Sequence, residues 1–222
     1  TKAYLQLEIH PDDRPMMTLN THKGLYQPTR MMYGIASAPA KWQRLMEQIL
    51  SDIPGVSVFL DDIKITAPND TIHLQRIEEV LKRLEKYNMR INTEKSEFLK
   101  HSIEYCGYLI SNQGIRRIQA KVDAIQEMKK PQNKEEVRAF LGLINYYGRF
   151  INNLSDIIYP LNNLLKNDVP FIFDKRCEEA FMEVKKQMQS DTVLTHYDPK
   201  LPILLAVDAS PTGVGAVLSH LY

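Results

Sequence analysis

Asp61 and Asp62 are the residues best suited to chemistry in this sequence. They sit between two apolar stretches, Val58-Phe59-Leu60 and Ile63-Lys64-Ile65, a pattern that reads as a hairpin. Adjacent carboxylates in a tight turn offer hard oxygen ligands of the kind Mg²⁺ takes, usually one or two together with substrate phosphates. A pair of divalent ions about 4 Å apart serves in-line displacement at phosphorus by activating the attacking oxygen and stabilising the leaving one. Two rigid strands present such groups without a large ordering cost. Aspartate is also an ordinary turn residue, so the dipeptide by itself reads first as a solvated loop.

Other chemistry is sparse. Cys106 and Cys177 are far apart and match no metal or redox spacing, which predicts buried reduced thiols. The six histidines are scattered, and a net charge of +1 leaves nucleic-acid binding to local patches. No apolar run approaches the ~20 residues of a membrane helix, so no membrane partner is expected. At 222 residues, 44% hydrophobic and 25% charged, the chain has the composition of one or two globular domains. It starts at Thr1 rather than Met, which reads as a piece of a longer protein.

Several elements must position the hairpin. Residues 1–30 alternate short apolar groups with turn formers around Pro11-Asp12-Asp13 and His22-Lys23-Gly24, predicting short strands. Ser37-Ala38-Pro39 marks a helix start, followed by Trp42, Leu45, Met46 and Ile49 at helical spacing. Asn69 or Asp70 can cap a second helix with Leu74, Ile77, Leu81 and Leu84 on its apolar face. Ile91 to Ser111 is strand-like, broken by polar clusters and Gly107. The pattern turns helical from about Ile118, is interrupted at Pro131, and resumes with a capping-box pair, Asn133 and Glu136. A further helix carries Cys177, Phe181, Val184 and Met188, and two short β runs flank Asp208 and Gly213.

The residues around the hairpin add a resemblance. Gly24-Leu25-Tyr26 and the run from Met32 to Met46 resemble the segment preceding the Asp-Asp hairpin in reverse transcriptases of gypsy-type long-terminal-repeat retrotransposons. Residues 104–114 resemble that family's primer grip, and Leu141 to Ile151 its thumb or connection signature. Val207-Asp208-Ala209-Ser210 with Gly213 to Leu218 is similar to the opening of its ribonuclease H-like domain. The resemblance implies an α+β fold: an incomplete right-hand palm at 1–112, a helical thumb and connection at 113–195, and the first strands of an RNase H-like domain at 196–222. It implies RNA-directed DNA synthesis on an RNA or DNA template-primer with dNTPs, using two Mg²⁺ ions, with Mn²⁺ as a substitute.

The same resemblance assigns roles. Asp61 and Asp62 match the paired metal-binding aspartates, and Asp208 the first carboxylate of the RNase H site. Tyr4 matches the aromatic gate under the incoming sugar, with a core aromatic as the equal alternative. Tyr33 and Gly34 match the position beside nucleotide and template, and Lys95 that of a group near the triphosphate. Gly107, Tyr146, Tyr147 and Arg149 are candidate nucleic-acid contacts, and Arg149 lies in a basic stretch with Arg116, Arg117, Lys129, Lys130, Lys134 and Arg138. The family's third palm carboxylate aligns two residues before Thr1, so residues 1–222 alone are expected to be inactive. Phe59 replaces a frequent Tyr, Tyr33 a frequent Phe, and Gly148 a common Arg. A different class of function fits as well: a catalytically dead or co-opted fragment that acts only in nucleic-acid or protein binding.

Overall fold

The computed structural model describes residues 3–210 and 213–220, with the side chains of 208–210 and 213–215 outside that description. It has two compact units, Thr1–Lys100 and His101–Tyr222.

In the first unit, two helices cover one face of a hairpin. Helix α1 (Ala38–Leu50) begins with proline in its first turn, where a missing N–H is harmless. It buries Trp42, Met46, Ile49 and Leu50. Strands β3 (Val56–Phe59) and β4 (Asp62–Ile65) pair Val56 with Ile65 and Val58 with Ile63. These four side chains pack on the α1 core, so strand alternation turns Ser57, Phe59, Asp62 and Lys64 to the opposite face. Helix α2 (Asp70–Lys86) is capped by Asn69, whose side chain accepts the Ile72 N–H at 2.9 Å. Its buried residues are Val80 and Leu84, whereas Leu74 and Leu81 are exposed. The apolar face is therefore rotated from the predicted stripe, because Arg83 on the packed side bonds the Ile49 carbonyl at 3.1 Å and pairs with Asp52 and Glu79.

Before α1 the predicted strands form around the His22-Lys23-Gly24 turn, whereas the stretch before them is largely 3₁₀. Residues Pro11–Met17 form a 3₁₀ segment with proline at its first position and another inside it. The short hairpin β1 (Leu19–Thr21) and β2 (Gly24–Tyr26) follows. Residues 91–101 are also not a strand. Asn92 accepts the Glu94 N–H at 3.1 Å and ends the extension in a 3₁₀ turn, Thr93–Lys95.

The second unit opens with an antiparallel meander, β5 (Ser102–Tyr105), β6 (Tyr108–Ser111) and β7 (Gly114–Arg117). Ile115 exchanges backbone bonds with Leu194, and a Cβ on Gly114 would lie 2.4 Å from the Leu194 oxygen, so only glycine fits. Four helices follow: α3 (Gln119–Glu127), α4 (Lys134–Tyr146), α5 (Leu154–Leu164) and α6 (Lys175–Met188). They bury Ile125, Val137, Phe140, Ile144, Leu161 and Val184 completely. At the start of α4, Asn133 accepts the Glu136 N–H at 2.8 Å, and the Glu136 carboxylate accepts from the Gln132 backbone N–H and the Asn133 side-chain amide rather than from the Asn133 backbone N–H. The last hairpin is β8 (Ile203–Ser210) with β9 (Gly213–His220). No helix among the described residues is long and apolar enough to cross a membrane.

Cys177 is buried in α6, and burial pushes its thiol up to about 11 from an ordinary 9.0. Since the folded value lies above the unfolded one, this thiol favours the fold below pH 9 and stops doing so as pH rises towards 11. In a thiol-reagent titration at pH 8, Cys177 should stay unmodified until the chain is unfolded. Rapid labelling in the native state would contradict this burial.

Candidate active site at the acidic hairpin

Phe59 pairs with Asp62, so the loop has only two residues, Leu60 and Asp61. Leu60 has φ of 49° and Asp61 is not among the residues of positive φ, the signs of a II′ turn. A leucine held in the left-handed region costs roughly 1–2 kcal/mol, and such strain persists only where the surroundings enforce it. Here α1 enforces it. The Leu60 N–H donates to Gln43 Oε1 at 2.7 Å, and the Leu60 carbonyl accepts from Trp42 Nε1 at 2.8 Å. Gln43 Nε2 also donates to the Val58 carbonyl at 3.1 Å.

Both carboxylates at the tip are exposed, and among the described residues neither forms an ion pair. Two adjacent, uncommitted oxygen donors fit a divalent ion of the Mg²⁺ type. Among the described residues no group of three or more His, Cys, Asp or Glu is assembled. The hairpin tip by itself therefore offers two adjacent carboxylates and no larger ligand cluster among the described residues.

Two other predicted residues, Tyr4 and Tyr33, meet next to Trp42, whose indole bonds the turn. The Tyr4 ring lies 5.7 Å from that of Tyr33 and 6.4 Å, edge-on, from Trp42. Tyr4 is half-buried and Tyr33 is 59% exposed. Gly34 has φ of 88° and open space where a Cβ would stand. Lys95 is exposed at the end of its 3₁₀ turn.

In the second unit, two stretches that are distant in sequence come together. Cys106 and Gly107, at φ of 46° and 72°, form the two-residue turn between β5 and β6. Both positive values define a I′ turn, and a Cβ on Gly107 would meet the Tyr146 hydroxyl at 2.8 Å. Tyr146 donates to the Cys106 carbonyl and stacks on Tyr108 at 5.1 Å, while Tyr147 donates to the Gly107 carbonyl at 3.2 Å. Tyr147 is only 2% exposed, so its ring belongs to the core and cannot lie against a duplex. Tyr146 remains 46% exposed, and Arg149 lies over the Tyr108 ring at 5.6 Å.

The basic stretch is smaller than the sequence suggested. Arg117 is buried and bonds the carbonyls of Gln187 and Ser190 at the end of α6. Lys130 pairs with Glu178, and Lys134 donates to the Lys166 carbonyl at 2.6 Å. Arg116, Lys129, Arg138 and Arg149 remain as exposed cations. Asp208 lies opposite Gly215 in the last hairpin, and its side chain is outside the described residues.

Sequence reasoning missed Gln43 and Trp42 as partners of the turn. Trp42 was legible only as a core residue, and Gln43 only as part of a motif, since both bonds are tertiary.

Residues 1–110 match the family model of the reverse transcriptase (RNA-dependent DNA polymerase), and residues 173–222 that of the RNase H-like domain found in reverse transcriptase. The Transposon Tf2-3 and Tf2-7 polyproteins of Schizosaccharomyces pombe are each 35% identical over 220 residues, 98% of this chain. The chain spans only 16% of their length. A foamy viral protease-reverse transcriptase in complex with double-stranded DNA matches 99% of this chain at TM-score 0.88 and 23% identity, over 39% of its own length. The same protein in complex with an RNA/DNA hybrid matches at TM-score 0.86, over 30% of its length. The likeness at this identity is one of fold. With both family models matched and the polyproteins 35% identical over 98% of its residues, the chain belongs to the reverse transcriptase family, with its RNase H-like stretch at residues 173–222.

Proposed function

We propose that this chain supplies the palm hairpin of an RNA-directed DNA polymerase, as part of a retrotransposon polyprotein that also carries RNase H activity. The observation that carries the reading is the exposed Asp61-Asp62 tip, in no ion pair among the described residues, inside the stretch that matches the reverse transcriptase model. Palm, thumb with connection, and RNase H-like start are assigned to residues 1–112, 113–195 and 196–222. The partners are RNA or DNA template-primer, as in the duplex and hybrid complexes of the foamy viral protein, and dNTPs.

Two divalent ions, Mg²⁺ by preference, would lower the barrier to attack by a primer 3′ hydroxyl and to departure of pyrophosphate. Asp61 and Asp62 would hold them. Tyr4, braced between Tyr33 and Trp42, offers a ring for the incoming sugar to rest on and blocks a 2′ hydroxyl. Tyr33 and Gly34 leave open backbone for nucleotide and template, and Lys95 would approach the triphosphate. Gly107, Tyr146 and Arg149 would follow the primer strand, with buried Tyr147 as their support. Asp208 would be one carboxylate of the RNase H site.

The test is Mg²⁺-dependent dNTP incorporation on an RNA template with a DNA primer, by a polypeptide of the relatives' length that contains this chain. Incorporation lost on Asp61→Asn or Asp62→Asn supports the reading; activity retained in both overturns it. Because the described residues assemble only two of the ligands, residues 1–222 by themselves should give no detectable extension.

A further inference from the structure

We propose that Gln43 is a positioning residue, which holds Leu60 in its left-handed conformation and so fixes the Asp61 carboxylate for the metal. The inference rests on the metal-site reading above. Leu60 has a side chain that disfavours φ of 49°, so other turn conformers compete unless its peptide groups are restrained. Successive residues of α1 take both of them: Gln43 accepts the Leu60 N–H at 2.7 Å and Trp42 donates to the Leu60 carbonyl at 2.8 Å. The Gln43 amide orientation follows from its partners, since the Leu60 N–H needs an acceptor while the Val58 carbonyl and Glu47 carboxylate, at 3.1 and 2.7 Å, need a donor. Asp61 is the next residue along, so its carboxylate direction follows from the turn that Leu60 adopts. The clamp thereby connects the helix of the Met32–Met46 stretch to the acidic tip.

The experiment uses ¹⁵N-labelled chain, with hydrogen exchange at the Leu60 amide and Mn²⁺ titration followed by paramagnetic broadening at Asp61 and Asp62. In Gln43→Leu, the Leu60 amide should lose its protection. Mn²⁺ affinity should fall about five-fold, the worth of one net hydrogen bond, with the melting temperature near wild type. Leu60→Gly installs the residue that II′ turns prefer at this position. In that background, Gln43→Leu should change Mn²⁺ affinity by less than about two-fold, because the turn no longer needs the restraint. Gln43→Met, unbranched and helix-compatible, carries the same expectations should the leucine variant not fold. Unchanged Mn²⁺ affinity in Gln43→Leu, or an equal loss in the Leu60→Gly background, overturns the positioning role and leaves the metal site standing. Absence of broadening at Asp61 and Asp62 in wild type overturns the metal-site reading, and this inference with it.

Discussion

In the longer polypeptide proposed to act as the polymerase, Asp61→Asn is expected to lower primer extension about a thousand-fold, the rate equivalent of ~4 kcal/mol of lost transition-state charge stabilisation. Asparagine keeps the size of the side chain and one oxygen but removes the charge that a hard cation requires. The site gives little scope for compensation. Only Asp62 stands beside Asp61 at the tip, and no third ligand joins the pair among the described residues. Both side chains are exposed and neither forms an ion pair among the described residues, so the substitution should leave thermal melting unchanged. The measurement is single-turnover incorporation at saturating dNTP across a Mg²⁺ series, alongside a melting curve. A loss recovered by raising Mg²⁺ would show Asp61 as an affinity ligand only. A loss persisting at saturation places it at the reacting phosphate, and a rate within about ten-fold of wild type would remove it from the site.

Much of this site was legible because local rules and tertiary packing agree there. Val56, Val58, Ile63 and Ile65 alternate, so the hairpin's buried face and its acidic tip follow from period two. Asn69 and Asn133 cap their helices, and Cys177, Phe181, Val184 and Met188 face the core. Misreadings occur where a local signal lost to a distant contact. The α2 stripe through Leu74 and Leu81 is as regular as the one actually buried, and Arg83's bonds to α1 decide between them. Helix α5 went unread because it begins after Asn153 at φ of 52° and carries Pro160 inside, which removes a ladder bond. Arg117 looked like a phosphate contact until the end of α6 was seen to bind it. Its burial lowers the pKa of its guanidinium, opposed by the nearby Asp191 charge.

Tyr147 shows the same conflict most sharply, and its substitution should have the largest effect on stability. Adjacent Tyr146 and Tyr147 look alike in sequence, yet α4 ends at Tyr146 and the next turn drives the following ring inward. The Tyr147 ring lies 5.0 Å from Tyr146, 5.8 Å from Tyr108 and 6.4 Å from Phe150, and its hydroxyl reaches the Gly107 carbonyl. Tyr147→Ala leaves a cavity where an aromatic ring was fully packed, which costs about 4 kcal/mol. Against a total stability of ~10 kcal/mol for such a domain, that is a large fraction. Tyr147→Phe loses only the hydroxyl's bond, about 1 kcal/mol. Tyr146→Ala removes a half-exposed ring and should fall between the two. Urea denaturation of the three variants, followed by far-ultraviolet dichroism, gives the ordering. If Tyr147→Ala instead unfolds like wild type, the ring is not a core residue, and the support proposed for the Cys106-Gly107 turn fails. With the predicted ordering, the turn depends on the helical core, and any loss of template-primer affinity in Tyr147→Ala is an indirect effect of the loosened turn.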